Sequence, residues 1–430
     1  MAISTTSESS VRSQYLLEWL AVATIFLIVN VLGAIFQPPL TFMGGKAWEL
    51  NVYYDIAERF RHSLPIVGPA PAIFRIGIPW LVSVLPFSDL SKSFFYINLF
   101  ANACTAALLV CLLRYYVKFW KIRVVLIGFY LIHWLGPTRF LYFVSAETDA
   151  TAIFLLTAGL LLIERWRKSE RAVDLLRLCA LVLVGTAVRE IMLVIPVAFL
   201  FANKPFDKWG VSIRRLGISI APLLCGSLVL LLIHSFVHPT ESYRFASAAL
   251  NWAYSKSLPV FILGCFITLG PVAVLLALDW KGTRLLLNHN SALAVFLILI
   301  LFLSYCGGSD TERFMLWGAP SILILFGTWF ERNRNVLRDR GLVILIILLQ
   351  LISERAFWTT PDLGYSVENS MIFLTSLSSN AYYLNLYSYH APRSVSALML
   401  LEYAAVGTVI LAWAAYRLSH KSNRSGMMPA

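Results

Sequence analysis

The chain alternates between apolar runs about as long as a bilayer is thick and short polar breaks. Such a pattern predicts a string of membrane-crossing helices. The breaks are of two kinds. One kind is short and basic: Arg114, Lys118, Lys121 and Arg123, then Arg165, Arg167, Lys168 and Arg171, then Lys204, Lys208, Arg214 and Arg215, then Lys281 and Arg284, then Arg332, Arg334, Arg338 and Arg340. The other kind is longer and holds the acids: Glu49, Asp55, Glu147, Asp149, Glu190, Asp310 and Glu312. Short basic loops stay on the cytoplasmic side, so the chain crosses twice between consecutive ones. The expected fold is an all-α polytopic bundle of about twelve crossings, one transmembrane domain over residues 1–430. Both termini are then cytoplasmic, with a basic tail at 417–430. The outer loops are 37–91, 136–149, 189–190, 237–257, 307–313 and 359–396, the first and last being the largest.

Two stretches need this constraint to be read at all. Between the basic loops at 165–171 and 204–215 lies one apolar run, broken only by Arg189 and Glu190. It predicts a hairpin with two arms of about 14 residues, each about 21 Å long, and a tip below the outer membrane surface. The stretch 124–163 predicts a second hairpin, with Pro137, Arg139, Glu147 and Asp149 at its tip.

The first outer loop contains GGKAWELNVYYDIAERFRH. Tyr53, Ile56, Ala57 and Phe60 recur at helical spacing, with Asp55, Glu58, Arg59 and Arg61 elsewhere on the wheel. This predicts an amphipathic helix lying along the membrane surface. Glu49 falls one turn before Tyr53, on the apolar stripe, where a carboxylate needs a partner.

Composition agrees with the pattern. Of 430 residues, 59% are hydrophobic and 13% charged, and the mean hydropathy is +0.73, too apolar for a soluble surface. The net charge of +12 comes from the short loops, so it argues for membrane topology rather than nucleic acid. Residues 1–15 are polar and the first apolar run is long enough to span, so no cleavable signal is expected. The six cysteines are scattered through apolar stretches and read as small core residues, not a disulfide framework or a zinc site.

Several outer positions carry candidate chemistry. Arg75, followed by Pro79, enters an apolar stretch, where it either reaches lipid head groups or binds a lipid-linked phosphate. Glu147 and Asp149 precede an apolar helix; they suit a helix N-terminus, and an Mg²⁺ or Mn²⁺ ion is an allowed cofactor there. Arg189 and Glu190 are either a self-neutralising pair or part of a site. Asp310 and Arg313, three apart, suit a helix start. His238, with Tyr243 and Arg244 nearby, stands in an outer loop. The last outer loop is rich in tyrosine and asparagine, which suit an interfacial belt or a sugar.

Taken in order, these segments resemble the GT-C superfamily of polytopic glycosyltransferases. Glu49-Leu50-Asn51-Val52-Tyr53-Tyr54-Asp55-Ile56-Ala57 falls in register with that family's acidic first-loop motif. Arg75, Pro79 and Leu81 resemble its next segment, Thr148-Asp149-Ala150 a later helix start, and Arg189-Glu190 an Arg-Glu pair. Asp310, Arg313 and Pro320 resemble a late motif. The resemblance implies sugar transfer from a polyprenyl-phosphate donor to a lipid or glycan acceptor on the outer face of a bacterial inner membrane. It implies Glu49 as the catalytic carboxylate. Because Glu replaces the family's Asp, Asp55 is its rival. It implies substrate-binding roles for Tyr53, Arg75, Glu147, Asp149, Arg189, Glu190, His238, Asp310 and Arg313. Two other classes remain open: a transporter or lipid-linked-glycan flippase, and an O-antigen polymerase or ligase, for which the last loop supplies only Arg393 and His390.

Overall fold

The computed structural model describes residues 5–46, 49–203, 206–207, 210–256, 258–308, 311–354 and 356, and a few positions between 404 and 412. The described chain is almost entirely helical. Its helices are α1 (Thr5–Phe36), α2 (Leu50–Arg61), α3 (Gly77–Val84), α4 (Leu90–Leu113), α5 (Trp120–Ile132), α6 (Pro137–Phe143), α7 (Asp149–Ser169), α8 (Ala172–Val188), α9 (Val194–Asn203) and α10 (Ile213–Phe236). They continue as α11 (Phe245–Ser255), α12 (Leu258–Leu269), α13 (Pro271–Leu278), α14 (Trp280–His289), α15 (Ser291–Cys306), α16 (Thr311–Leu316), α17 (Ala319–Arg332), α18 (Arg334–Arg338) and α19 (Arg340–Ser353).

Four helical spans among the described residues are long and apolar enough to cross a membrane: Arg12–Phe36, Leu90–Leu113, Trp120–Phe143 and Ile213–Phe236. A fifth results if α14 and α15, which meet at 112°, count as one. The outward faces of α1 and α10 are apolar, with Leu16, Leu20, Leu27, Leu224, Leu228 and Leu231 all exposed. A continuous exposed apolar face of this kind fits contact with lipid and does not fit water.

The first-loop helix is as the spacing predicts. Tyr53, Ile56 and Ala57 of α2 are fully buried, and Glu49 is its N-cap residue. The apolar run over 172–203 forms α8, a 3-10 turn at Glu190–Leu193 and α9, with Arg189 at the junction.

The stretch 124–163 departs from the expectation. Helices α5 and α6 read together as one 24-residue span, so the tip lies at Val144–Thr148. Pro137 opens α6 and has no N–H to give, which interrupts the ladder without ending the span. Arg139 sits inside that break, buried, and donates from Nη1 to the Ile132 carbonyl at 3.1 Å and the Ala356 carbonyl at 2.6 Å. It serves the backbone there and is not an exposed tip residue.

Two devices fix the arrangement. At the inner end, the fully buried Glu18 of α1 accepts from Arg114 Nη2 at 2.7 Å and Arg123 Nη2 at 2.8 Å. Two cations of a basic loop thus tie α1, α4 and α5 together. At the outer end, β1 (Val67–Gly68) pairs in parallel with a later two-residue strand (His238–Pro239), with Val67 opposite His238. That joins the first outer loop to the one after α10.

Gly77, the first residue of α3, lies against the end of α8. A Cβ there would come within 2.9 Å of Ala187 C and Val188 N, both backbone atoms. This contact seats the segment carrying Arg75 on the one carrying Arg189 and Glu190. Gly77→Ala is expected to cost about 1–3 kcal/mol by overpacking. Gly217→Ala, in open space on α10, is the control. Unfolding followed in detergent checks this, and equal stability of the two variants would contradict it.

Candidate functional site

Five segments far apart in sequence converge at one end of the helices: the start of α2, the turn before α3, the loop entering α7, the α8–α9 junction, and α16. Each contributes charge. The result is a network of four carboxylates and three guanidinium groups in two hydrogen-bonded halves, which meet in the chain at the adjacent Arg189 and Glu190.

Its first half is built on Arg75, which follows a 3-10 turn (Ala72–Phe74) and whose side chain is 7% exposed. Arg75 Nη2 donates to Glu190 Oε1 at 2.7 Å and Nε to Glu190 Oε2 at 3.0 Å, a two-pronged pairing that fits guanidinium to carboxylate. Arg75 Nη1 donates to Glu49 Oε2 and to the Tyr53 hydroxyl at 2.9 Å. Tyr53 in turn donates to Glu49 Oε2 at 3.0 Å. Glu49 and Tyr53 are four apart on α2, which stacks them one turn from each other.

The second half is built on Arg189 and Arg313. Arg189, 2% exposed, donates from Nη1 to Asp149 Oδ1 at 2.6 Å, Glu147 Oε1 at 3.1 Å and Thr148 Oγ1 at 3.0 Å. Arg313 donates from Nε to Asp149 Oδ2 at 2.9 Å, and its Nη2 lies 3.2 Å from Glu147 Oε2. Trp317 Nε1 donates to Asp149 Oδ1 at 2.9 Å, and the Arg189 guanidinium lies 4.8 Å from the centre of the Trp317 rings. Asn98 of α4 holds the loop in place, donating to the carbonyls of Ser145 at 2.9 Å and Glu147 at 2.8 Å.

Two features set the chemistry. Arg189 Nε is buried and has no acceptor among the described residues, so one cationic donor of the network is unused. The Glu49 and Glu190 side chains are 38% and 40% exposed, so the network opens at these two carboxylates. Burial pushes the Glu49 carboxyl up, but Arg75, Arg189 and Arg313 together with the Tyr53 hydrogen bond outweigh it and hold its pKa below the ordinary value. Glu147 goes the other way: burial, reinforced by Asp149 and Glu49, pushes it up against the pull of Arg313 and Arg189. With one carboxylate in excess over the guanidinium groups, Glu147 is the acid that carries a proton most readily.

Eight of the predicted residues meet here: Glu49, Tyr53, Arg75, Glu147, Asp149, Arg189, Glu190 and Arg313. Asp55 does not. It is 49% exposed and paired with Arg59 at 2.6 Å, two residues and roughly 200° round α2 from Tyr53. His238 does not either: its backbone N–H donates to the Ile66 carbonyl at 2.8 Å and its side chain is exposed. Asp310 and the loop 359–396 lie outside the described residues. The expected divalent cation does not fit at Glu147 and Asp149. All four of their carboxylate oxygens already face guanidinium or indole N–H groups. No group of three or more His, Cys, Asp or Glu among the described residues is arranged for a metal ion. Sequence reasoning had Thr148 only as part of a matched helix start, and it missed Asn98 and Trp317. Trp317 carried one readable signal, its i+4 spacing from Arg313.

Acid should loosen this network. The stabilisation held by Glu49 is complete above its ordinary value of 4.5 and is lost as pH falls through its depressed folded value. Glu49→Gln should therefore flatten the acid limb of a thermal-stability profile below about pH 4.5; an unchanged limb would show that the pairing carries no stability. Arg189→Met, which leaves buried carboxylates short of a cation, should cost about 3–5 kcal/mol. Arg59→Ala, at an exposed pair, should cost less than about 1 kcal/mol. Unfolding in detergent measures both.

No protein-family model matches this chain, and no curated protein matches its sequence.

Proposed function

We propose that this protein is a GT-C-type membrane glycosyltransferase. In this reading it crosses the membrane about twelve times, with both termini cytoplasmic. It takes a sugar from a polyprenyl-phosphate donor and passes it to a lipid or glycan acceptor at the outer face of a bacterial inner membrane. The observation that carries the reading is the convergence of Glu49, Arg75, Asp149, Arg189 and Arg313, from five separate segments, on one network. A partly exposed carboxylate sits at one side of that network and a buried, unused guanidinium N–H belongs to it.

The reaction needs a base for the acceptor and positive charge for the leaving group. Glu49 takes the proton of an acceptor hydroxyl. The acceptor oxygen forms a bond to the anomeric carbon as that carbon's bond to the phosphate oxygen breaks. The electron pair leaves with the polyprenyl phosphate, whose negative charge rises by one. Arg189 offers its free Nε and Arg313, 14% exposed, its outer edge to that charge. Arg75 is a positioning residue, since it holds Glu49 and Glu190 in register with one another. In the resting network Glu49 is a weak base because Arg75 holds it. Phosphate drawing the guanidinium groups towards itself raises Glu49 towards the range in which it accepts a proton.

The test is transfer in liposomes supplied with polyprenyl-phosphate sugars and a lipid extract. Glu49→Gln should lose transfer by at least about a hundredfold while folding normally. Asp55→Asn should keep most of it, because Asp55 stands outside the network. Full activity in Glu49→Gln would refute the role given to that carboxylate.

A further inference from the structure

A cavity of about 650 Å³ lies on the other side of α2 from the ion network. Its walls are the turn at Pro39–Lys46, the start of α4 and the end of α6 with Val144 and Ser145. Tyr54 and Glu58 of α2 line it, whereas Glu49 and Tyr53 face the network. One residue along a helix is about 100° of rotation, so α2 is a wall with a different site on each face.

The lining is polar and unevenly satisfied. Its carboxylates have local partners: Asp89 caps α4 by accepting from Ser91 N at 2.9 Å, and Glu58 faces His62 at 3.5 Å. Its two lysines, Lys46 and Lys92, make no ion pair among the described residues; Lys46 rests over the Tyr54 ring at 5.1 Å. The same lining holds hydroxyls, with Ser91 Oγ 3.1 Å and Tyr54 Oη 3.5 Å from Ser145 Oγ. Two lysines and three hydroxyls in one cavity lining suit a phosphate attached to a sugar.

The cavity also adjoins the proposed chemistry at two places. Lys46, which lines it, is three residues before Glu49. Ser145, which lines it, is held with Glu147 by the same Asn98 amide.

We propose that this cavity seats the acceptor, and that the acceptor bears a phosphate bound by Lys46 and Lys92. The proposal rests on the glycosyltransferase reading for the word acceptor, but the phosphate seat stands on its own lining. The experiment measures binding of glucose 1-phosphate to the full chain in phosphatidylcholine nanodiscs by calorimetry. Wild type should bind, and the double variant Lys46→Gln/Lys92→Gln should bind at least about tenfold more weakly. Lys46→Arg/Lys92→Arg should retain binding, which separates lost charge from lost folding. No transfer by wild type in liposomes together with intact phosphate binding would sink only the catalytic reading. Equal binding by the Gln variant and wild type, or none by wild type, would overturn the phosphate seat. Loss of binding when phosphatidylglycerol replaces phosphatidylcholine would assign the cavity to a lipid head group and overturn the acceptor role.

Discussion

The outer half of this structure is organised by carboxylates that cannot stay buried alone. An ionised acid taken from water into protein or lipid costs several kcal/mol unless a cation and hydrogen bonds replace its water. Here Glu49, Glu147, Asp149 and Glu190 are answered by Arg75, Arg189 and Arg313. Each answer spans a long stretch of sequence. The requirement therefore acts as a set of ties among α2, the turn before α3, the entry to α7, the α8–α9 junction and α16. Misplacing any of these segments would strand a charge, so the network specifies the fold's outer end as well as forming a candidate site.

The inner end solves the same problem differently. Glu18 is wholly enclosed and takes two arginines, with Arg123 also capping the Val117 and Lys118 carbonyls. Every charge is consumed and nothing opens to a ligand, so this cluster reads as a structural clasp. The outer network keeps a partly exposed acid and a guanidinium N–H without an acceptor. That difference in satisfaction, rather than the number of charges, separates a site from a clasp.

Much of this was legible from spacing. The apolar stripe of α2 placed Glu49 and Tyr53 on one buried face, because a four-residue step returns to the same side of a helix. The lone Arg189-Glu190 break between two basic loops announced a hairpin tip. Periodicity was misleading where the backbone is irregular. Pro137 looked like a tip residue, yet α5 and α6 continue past it because Arg139 supplies donors to the interrupted carbonyls. Glu49 stood ahead of Asp55 only by the resemblance, since residue type does not separate two first-loop acids.

The sequence by itself determined the all-α class of fold and which loop acids were candidates for one site. Both follow from local rules, hydropathy over a span's length and charge in short loops. Tertiary structure alone decided which acid meets which arginine, that Trp317 and Asn98 belong to the site, that Asp55 and His238 do not, and that a cavity lies behind α2. Those outcomes depend on side chains 40 to 168 residues apart in sequence meeting within about 3 Å. No local pattern encodes such a distance; it is set by how the helices pack and by the cost of leaving any one of these charges without a partner.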